Sequence, residues 1–128
     1  MTLLVPGSWG ELIDKITILE IKSERIADPA KLANIRRELA ALEAVRTAHL
    51  PAERIARVAP ATANLKAVNE RLWVIEDDIR LCEKAQDFGP RFIGLARDVY
   101  QTNDRRAEIK REISVLLGSD LIEEKSYA

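Results

Sequence analysis

An apolar stripe with helical spacing is the feature that most constrains how this chain folds. Between Leu65 and Cys82 the apolar residues recur at alternating intervals of three and four, which is the period of one helix face. Val74 and Leu81 point away from that stripe, so the helix is apolar on two sides. Such a helix lies at the centre of a bundle or is covered by a second chain. The stripe consists of Leu65, Val68, Leu72, Ile75, Ile79 and Cys82.

Capping signals predict a helical hairpin in the first part of the chain. Ser8 and Glu11 have the spacing of a capping box, which predicts a helix from Trp9 to Ile26. Asp28-Pro29 combines an N-cap aspartate with proline at the first helical position, so a second helix starts there and runs to about Leu50. Because the gap between the two helices is short, we expect them to be antiparallel.

Turn residues delimit a second hairpin. The stretch Ala52–Val58 is flanked by prolines and predicts a short helix inside a connection. A third main helix is expected over Thr62–Gln86, where Asp87–Pro90 ends it. A fourth follows over Pro90–Leu117, and Gly118 is placed as its C-terminal stop.

These elements predict an all-α protein that forms one domain over residues 1–128. Its architecture is an antiparallel bundle of four main helices built from two helical hairpins, with a short extended N-terminal lead-in and a docked C-terminal tail. The composition, with 47% hydrophobic and 32% charged residues, is typical of a folded helical protein. The first helix is also apolar on two sides, since Ile18 and Ile21 lie opposite its main stripe. Two such helices favour a homodimer.

Composition and charge exclude several classes of function. The formal net charge is −1 without a basic stripe, which argues against nucleic acid as a partner. A single cysteine and a single histidine argue against a disulfide and a zinc site, and we expect no cofactor. No apolar run approaches the roughly 20 residues that span a bilayer, and residues 1–6 do not resemble a signal peptide. The expectation is a cytoplasmic protein without a membrane partner.

Polar residues interrupt the inward face of the fourth helix. That face is apolar over Phe92–Val99 and again at Ile113 and Leu117, but polar for about two turns between them. A lone buried charge costs several kcal/mol, so these groups must pair, reach solvent or meet a ligand. The polar residues of this window are Thr102, Asn103, Arg106 and Lys110.

Three interpretations of the window stay open, besides simple exposure of long side chains. In the first, Thr102–Asp104 breaks the helix and a new helical phase begins. In the second, Glu20 and Glu76 form an internal ion-pair network with Arg106 and Lys110. In the third, the cations line a cleft that binds a small anion or a carboxylate metabolite. The candidate ligand-binding residues are Glu20, Asn69, Trp73, Glu76, Arg80, Tyr100, Asn103, Arg106 and Lys110.

Catalytic chemistry has weaker support in the sequence. Glu11 and Asp14 lie three apart on the first helix, and Glu76-Asp77-Asp78 is an acidic triplet on the third. Paired helical carboxylates can hold magnesium, but adjacent residues point about 100° apart and basic residues interleave these acids. We therefore predict no metal ligand and rank a magnesium-dependent hydrolase third among the functions. His49 stands alone near a helix end, which is not the setting of a nucleophilic triad.

Four longer stretches of the chain resemble one family. They are GELIDKITILEIKSERI at Gly10–Ile26, LWVIEDDIR at Leu72–Arg80, LARDVYQTNDRRAEIKREI at Leu95–Ile113 and GSDLIEEKSY at Gly118–Tyr127. Together they resemble a domain-of-unknown-function family of short, all-helical bacterial proteins, and the likeness covers nearly the whole chain. The resemblance implies no established activity, catalytic residue or cofactor.

The leading functional prediction is a non-catalytic binding or assembly module that acts through helical surfaces, as a homodimer or with another protein partner. The alternative is a site for a small anionic, carboxylate or phosphate metabolite in a polar cleft of the bundle, which includes an isomerase or lyase. The sequence leaves open whether the protein is an enzyme, and no catalytic residue is predicted.

Overall fold

The computed structural model of the chain describes residues 1–122 and Glu124. Within that part of the chain the secondary structure is entirely helical, so the all-α prediction is confirmed. The helix predicted as the third main helix begins at Ala59 rather than at Thr62, so Pro60 lies in its first turn, where proline needs no hydrogen-bond partner. The helices are α1 Trp9–Arg25, α2 Pro29–His49, α3 Ala52–Arg57, α4 Ala59–Lys84 and α5 Pro90–Leu116.

Helix ends follow the signals in the sequence. The Ser8 hydroxyl accepts a hydrogen bond from the Glu11 amide at 3.1 Å, and the Asp28 carboxylate accepts one from the Ala30 amide at 3.3 Å. Each of these bonds satisfies an amide that the helix itself cannot pair. After α5, Gly118 adopts the left-handed conformation with φ of 68°, as expected of a C-terminal stop.

α5 is continuous through Thr102–Asp104, so the interpretation in which these residues break the helix is wrong. Thr, Asn and Asp each cost up to about 0.7 kcal/mol in helix propensity, which packing readily overrides. Thr102 itself is buried in the bundle. The polar window is therefore a feature of one uninterrupted helix face.

α1 is the central helix of the bundle, because it packs against α2 as well as against α4 and α5. α4 and α5 form the most extensive helix pair, as a long hairpin. α1 runs antiparallel to α5, since its first turns meet the last turns of α5. The two apolar sides of α1 are thus accounted for within one chain.

The main core lies at the end of the bundle where α1 begins and α5 ends. The predicted stripe on α4 is confirmed, with Leu65, Leu72, Ile75 and Cys82 buried. α2 has no fully buried residue, and its apolar stripe is only partly buried because the helix packs mainly on α1. The core cluster consists of Ile13, Leu50, Val58, Ala61, Leu65, Ile109, Ile113 and Leu117.

Both chain ends extend beyond the helices. The lead-in, residues 1–7, forms no regular secondary structure, and Leu3, Leu4 and Val5 are largely exposed, so it does not pack against the body. In the tail, the Ser119 hydroxyl accepts a hydrogen bond from the Trp9 amide at 2.9 Å. The predicted docking of the tail at residues 123 and 125–128 lies outside the described residues. No helix in the described part of the chain combines the length and apolarity needed to cross a membrane.

Candidate functional site

A buried ion pair joins the first turns of α1 to the polar window of α5. The Asp14 side chain on α1 is only 4% exposed. Its two carboxylate oxygens accept hydrogen bonds from Arg106, from Nε at 2.9 Å and from Nη2 at 2.5 Å. Such two-point pairing of a guanidinium with a carboxylate is the strongest kind of charged hydrogen bond in proteins.

α4 contributes a third member to this cluster. The buried side chain of Asn69 donates from Nδ2 to the Asp14 carboxylate and to the Thr17 hydroxyl, both at 3.0 Å. Thr17 in turn donates from its hydroxyl to the Asp14 backbone carbonyl at 2.7 Å. Asp14 therefore has charged and neutral donors from two neighbouring helices, which offset the cost of removing its carboxylate from water. We call Asp14, Thr17, Asn69 and Arg106 the polar cluster.

One turn closer to the start of α1, a second ion pair spans the same two helices. Lys110 is buried, and its Nζ lies 2.7 Å from the Glu11 carboxylate. The helices approach so closely here that a Cβ at Gly10 would lie 2.2 Å from the Lys110 carbonyl oxygen. The Gly10 amide also donates to the Ser114 hydroxyl at 2.9 Å. Only glycine fits at this contact.

The predicted ion-pair network is present, but with different acids. Arg106 and Lys110 do point inward, whereas Glu76 is exposed and Glu20 lies 4.0 Å from Lys66. The actual partners are Asp14 and Glu11, which are the two acids of α1 considered above as magnesium ligands. Glu11 and Asp14 are three residues apart on α1, and Lys110 and Arg106 are four apart on the antiparallel α5. Both spacings correspond to about one helical turn, and this similarity is the signal that could have identified the pairs.

The remaining candidate residues are dispersed. Trp73 is half-buried, and the Arg25 guanidinium lies 5.9 Å from the centre of its ring, within cation–π range. Arg80 and Tyr100 are exposed, and Asn103 is half-buried. The structure therefore unites Asn69 with Arg106 through Asp14 and places Lys110 one turn away, but it does not assemble the other candidates into one cleft.

The described part of the chain contains no group of three potential metal ligands. The carboxylates of Glu11 and Asp14 each receive a hydrogen bond from a cationic side chain, so they do not form an open oxygen site for magnesium. His49 lies at the end of α2, where its Nδ1 is 2.9 Å from the Val45 carbonyl oxygen. This is the helix-end role that the sequence favoured.

A cavity of about 300 Å³ lies beside the polar cluster and was not anticipated from the sequence. One of its polar lining residues is Arg46 on α2, whose buried Nε finds no hydrogen-bond partner within the described part of the chain. A buried donor without a partner costs roughly 1–3 kcal/mol. The cavity is lined by Ile13, Thr17, Glu20, Arg46, Leu50, Ile55, Val58, Ala59, Thr62, Ala63 and Lys66.

Lys66 is the second cation of the cavity wall, and acids neutralise it. Its Nζ lies 2.6 Å from the Glu24 carboxylate and 4.0 Å from that of Glu20. The hydrogen bond that Lys66 donates to Glu24 raises the pKa of Lys66 above its ordinary value. Burial opposes this effect, and the charges of Glu20, Glu24 and Glu70 add to it. Lys66 thus stays protonated at neutral pH, with its charge balanced by acids.

Comparison with known families bears directly on the resemblance noted in the sequence. The model of one family matches residues 3–128. The chain belongs to DUF6165, a family of unknown function. The family resemblance is thereby confirmed over nearly the full chain, and the family brings no activity with it. No curated protein matches the chain, and no solved structure matches it. For DUF6165, function must therefore be argued from the geometry of this fold.

Proposed function

We propose that the protein is a non-catalytic assembly module that binds a second copy of itself through helical surfaces, in the cytoplasm of a bacterium. The observation that carries this proposal is the outer face of α4. Val74 and Leu81 lie seven residues apart on that face and are 46% and 54% exposed. A spacing of seven keeps two side chains on one helix face, as at packed helix pairs.

The outer face of α5 repeats this arrangement. Ile93 and Tyr100 also lie seven apart and are 57% and 53% exposed. Apolar side chains that recur on one face favour packing against another helix more than isolated exposed residues do. The two faces together are named the outer pairs, consisting of Val74 and Leu81 on α4 and Ile93 and Tyr100 on α5.

Burial energies set the expected strength of this association. Fully burying a large apolar side chain contributes roughly 1.5–3 kcal/mol, so completing the burial of a half-exposed one contributes about 1 kcal/mol. A symmetric dimer that used all outer pairs would gain roughly 8 kcal/mol, which is comparable with the roughly 4–15 kcal/mol cost of association. The dimer should therefore be weak and concentration-dependent.

The polar window offers less support for the alternative function of anion binding. Arg106 and Lys110 already meet carboxylates of their own chain, so an anion there would have to displace Asp14 or Glu11. Displacing a partner from a buried ion pair carries a large desolvation cost. A metabolite site, with or without isomerase or lyase activity, therefore has better support at the cavity beside Arg46 than in the window.

Sedimentation velocity at protein concentrations of about 5–300 µM tests self-association, since this range includes the dissociation constant expected for a weak dimer. We expect the wild type to shift from monomer to dimer as concentration rises. The double variant Val74→Ser/Leu81→Ser should remain monomeric while its thermal midpoint changes little. Val45→Ser is a matched control, because Val45 is a similarly exposed apolar residue on α2. A wild-type chain that is monomeric throughout this range would refute the proposal.

A further inference from the structure

The cavity beside the polar cluster has the size of a site for a small organic molecule. Its volume of about 300 Å³ is at the lower end of the range of roughly 300–1,000 Å³ for ligand sites. At about 30 Å³ for each water molecule, it corresponds to about ten water volumes. A compact ligand of about that many non-hydrogen atoms would fill it.

Most of the cavity wall is apolar and rigid. Ile13, Leu50 and Val58 belong to the buried core cluster, and Ile55 packs against that cluster. Ile13 lies on α1 and Ile55 on α3, whereas Leu50 lies between α2 and α3 and Val58 between α3 and α4. An apolar wall built from core residues is pre-formed, so a hydrophobic group can enter without reorganising the fold.

One charged donor in this wall lacks a counterpart. The buried Nε of Arg46 is a hydrogen-bond donor that has no acceptor within the described part of the chain. Lys66 and Glu20 also line the cavity, but their charged groups lie 4.0 Å apart, and Lys66 donates a hydrogen bond to Glu24. The guanidinium of Arg46 is therefore the group in the cavity to which a ligand would supply an acceptor.

We infer that this cavity binds a small monocarboxylate with an apolar tail, with the carboxylate on Arg46 and the tail against the core residues. A guanidinium matches the planar, two-oxygen shape of a carboxylate. A phosphate dianion fits less well, because Glu20 repels its second charge and the hydroxyls of Thr17 and Thr62 already donate to backbone carbonyls. The inference goes beyond self-association, since the site is distinct from the outer pairs.

Octanoate is the test ligand, with octan-1-ol as the matched neutral compound and inorganic phosphate as the matched small anion. Binding is followed by thermal melting and by amide chemical shifts in NMR. We expect octanoate at about 100 times its dissociation constant to raise the thermal midpoint by several degrees. The shift changes should centre on Ile13, Leu50 and Val58. Octanol and phosphate should each produce a much smaller shift of the midpoint.

Arg46→Met tests the role of the guanidinium. Replacing a donor that lacks a partner by an apolar side chain of similar length should leave the unliganded midpoint unchanged or raise it. Octanoate affinity should fall at least about tenfold, the loss expected for a charged hydrogen bond. Arg36→Met is the control, because Arg36 is an exposed arginine on the same helix.

Ala63→Leu is a second, independent variant. Ala63 is exposed yet lines the cavity, so a larger side chain there occupies the site with little effect on the core. It should abolish octanoate binding while the fold and the oligomeric state persist. Equal stabilisation by octanol and octanoate, unchanged affinity in both variants, or no binding by the wild type would each overturn the inference. Val74→Ser/Leu81→Ser should bind octanoate normally, which separates this site from self-association.

Discussion

The ion pair between Asp14 and Arg106 should stabilise this fold far more than a surface pair does. Removing one partner of a buried pair costs roughly 3–5 kcal/mol, because the other charge loses its compensation. The Arg106 side chain is 28% exposed and can partly rehydrate, so the lower end applies to Asp14→Ala, about 3 kcal/mol. With about 2.1 cal/mol/K of unfolding entropy for each of 128 residues, this corresponds to a midpoint roughly 11 °C lower.

A double-mutant cycle isolates the pair from other effects of each substitution. The variants are Asp14→Ala, Arg106→Met and their combination, and each free energy of unfolding comes from urea denaturation followed by circular dichroism. The next residue on the same helix supplies the control. Lys15 pairs with Glu38 at 3.0 Å, but their side chains are 62% and 47% exposed, so their coupling should be about 0.2–1 kcal/mol.

The coupling between Asp14 and Arg106 should exceed that of the control pair at least twofold. Equal couplings in the two cycles would refute the argument that burial makes the polar cluster stabilising. An Arg106→Met variant of wild-type stability would point the same way. In that event Arg106 would be available for a ligand, and the anion-binding interpretation of the window would regain support.

Two further predictions follow from the close contact of α1 with α5 and from the charges around Lys66. Gly10→Ala should destabilise the fold by about 1–3 kcal/mol, because the added Cβ would clash with the backbone of α5. Gly94→Ala should stabilise it by about 0.5–1 kcal/mol, because no atom lies within 4 Å of the added Cβ and alanine favours a helix. Urea denaturation measures both, and equal effects would contradict the argument. Glu24→Gln should lower the pKa of Lys66, measured by NMR of its side chain, since Glu24 is the main cause of the raised value. Folding raises the pKa of Lys66, so the protonated form of Lys66 stabilises the folded state. This stabilisation is fully present below pH 10.5, the ordinary pKa, and is lost as the pH rises through the higher pKa of the folded state. An unchanged pKa of Lys66 in the variant would show that the hydrogen bond donated to Glu24 is not the cause of the raised value.

Local signals in the sequence were sufficient to predict most of the fold. The signals that start or end a helix depend only on residues within one or two turns, so they can be recognised from the local sequence. They are the Ser8 cap, the Asp28-Pro29 start and the Gly118 stop. The stripe from Leu65 to Cys82 likewise needs only one helix to be recognised. These features depend on neighbours in the sequence and were predicted correctly.

The partners of the inward cations depended on long-range register instead. Arg106 could meet any acid that faces inward on another helix, and nothing local ranks Asp14 above Glu20. Arg106 pairs with Asp14 because the close contact at Gly10 fixes the register of α1 against α5. Arg46 was missed for a similar reason, because the lack of an acceptor at its buried Nε depends on contacts between segments that are distant in the sequence.

The pairing of α1 with α5 has a consequence for how the chain folds as it leaves the ribosome. Asp14 and Arg106 are 92 residues apart. At a translation rate of roughly 5–20 residues per second, Arg106 is therefore synthesised about 5–20 s after Asp14. The hairpin of α4 and α5 can form from neighbouring segments, but the bundle closes only once the last turns of α5 have emerged. Ribosome-bound chains that end before Arg106 should therefore expose α1 to protease, and chains that extend well past Ser119 should protect it.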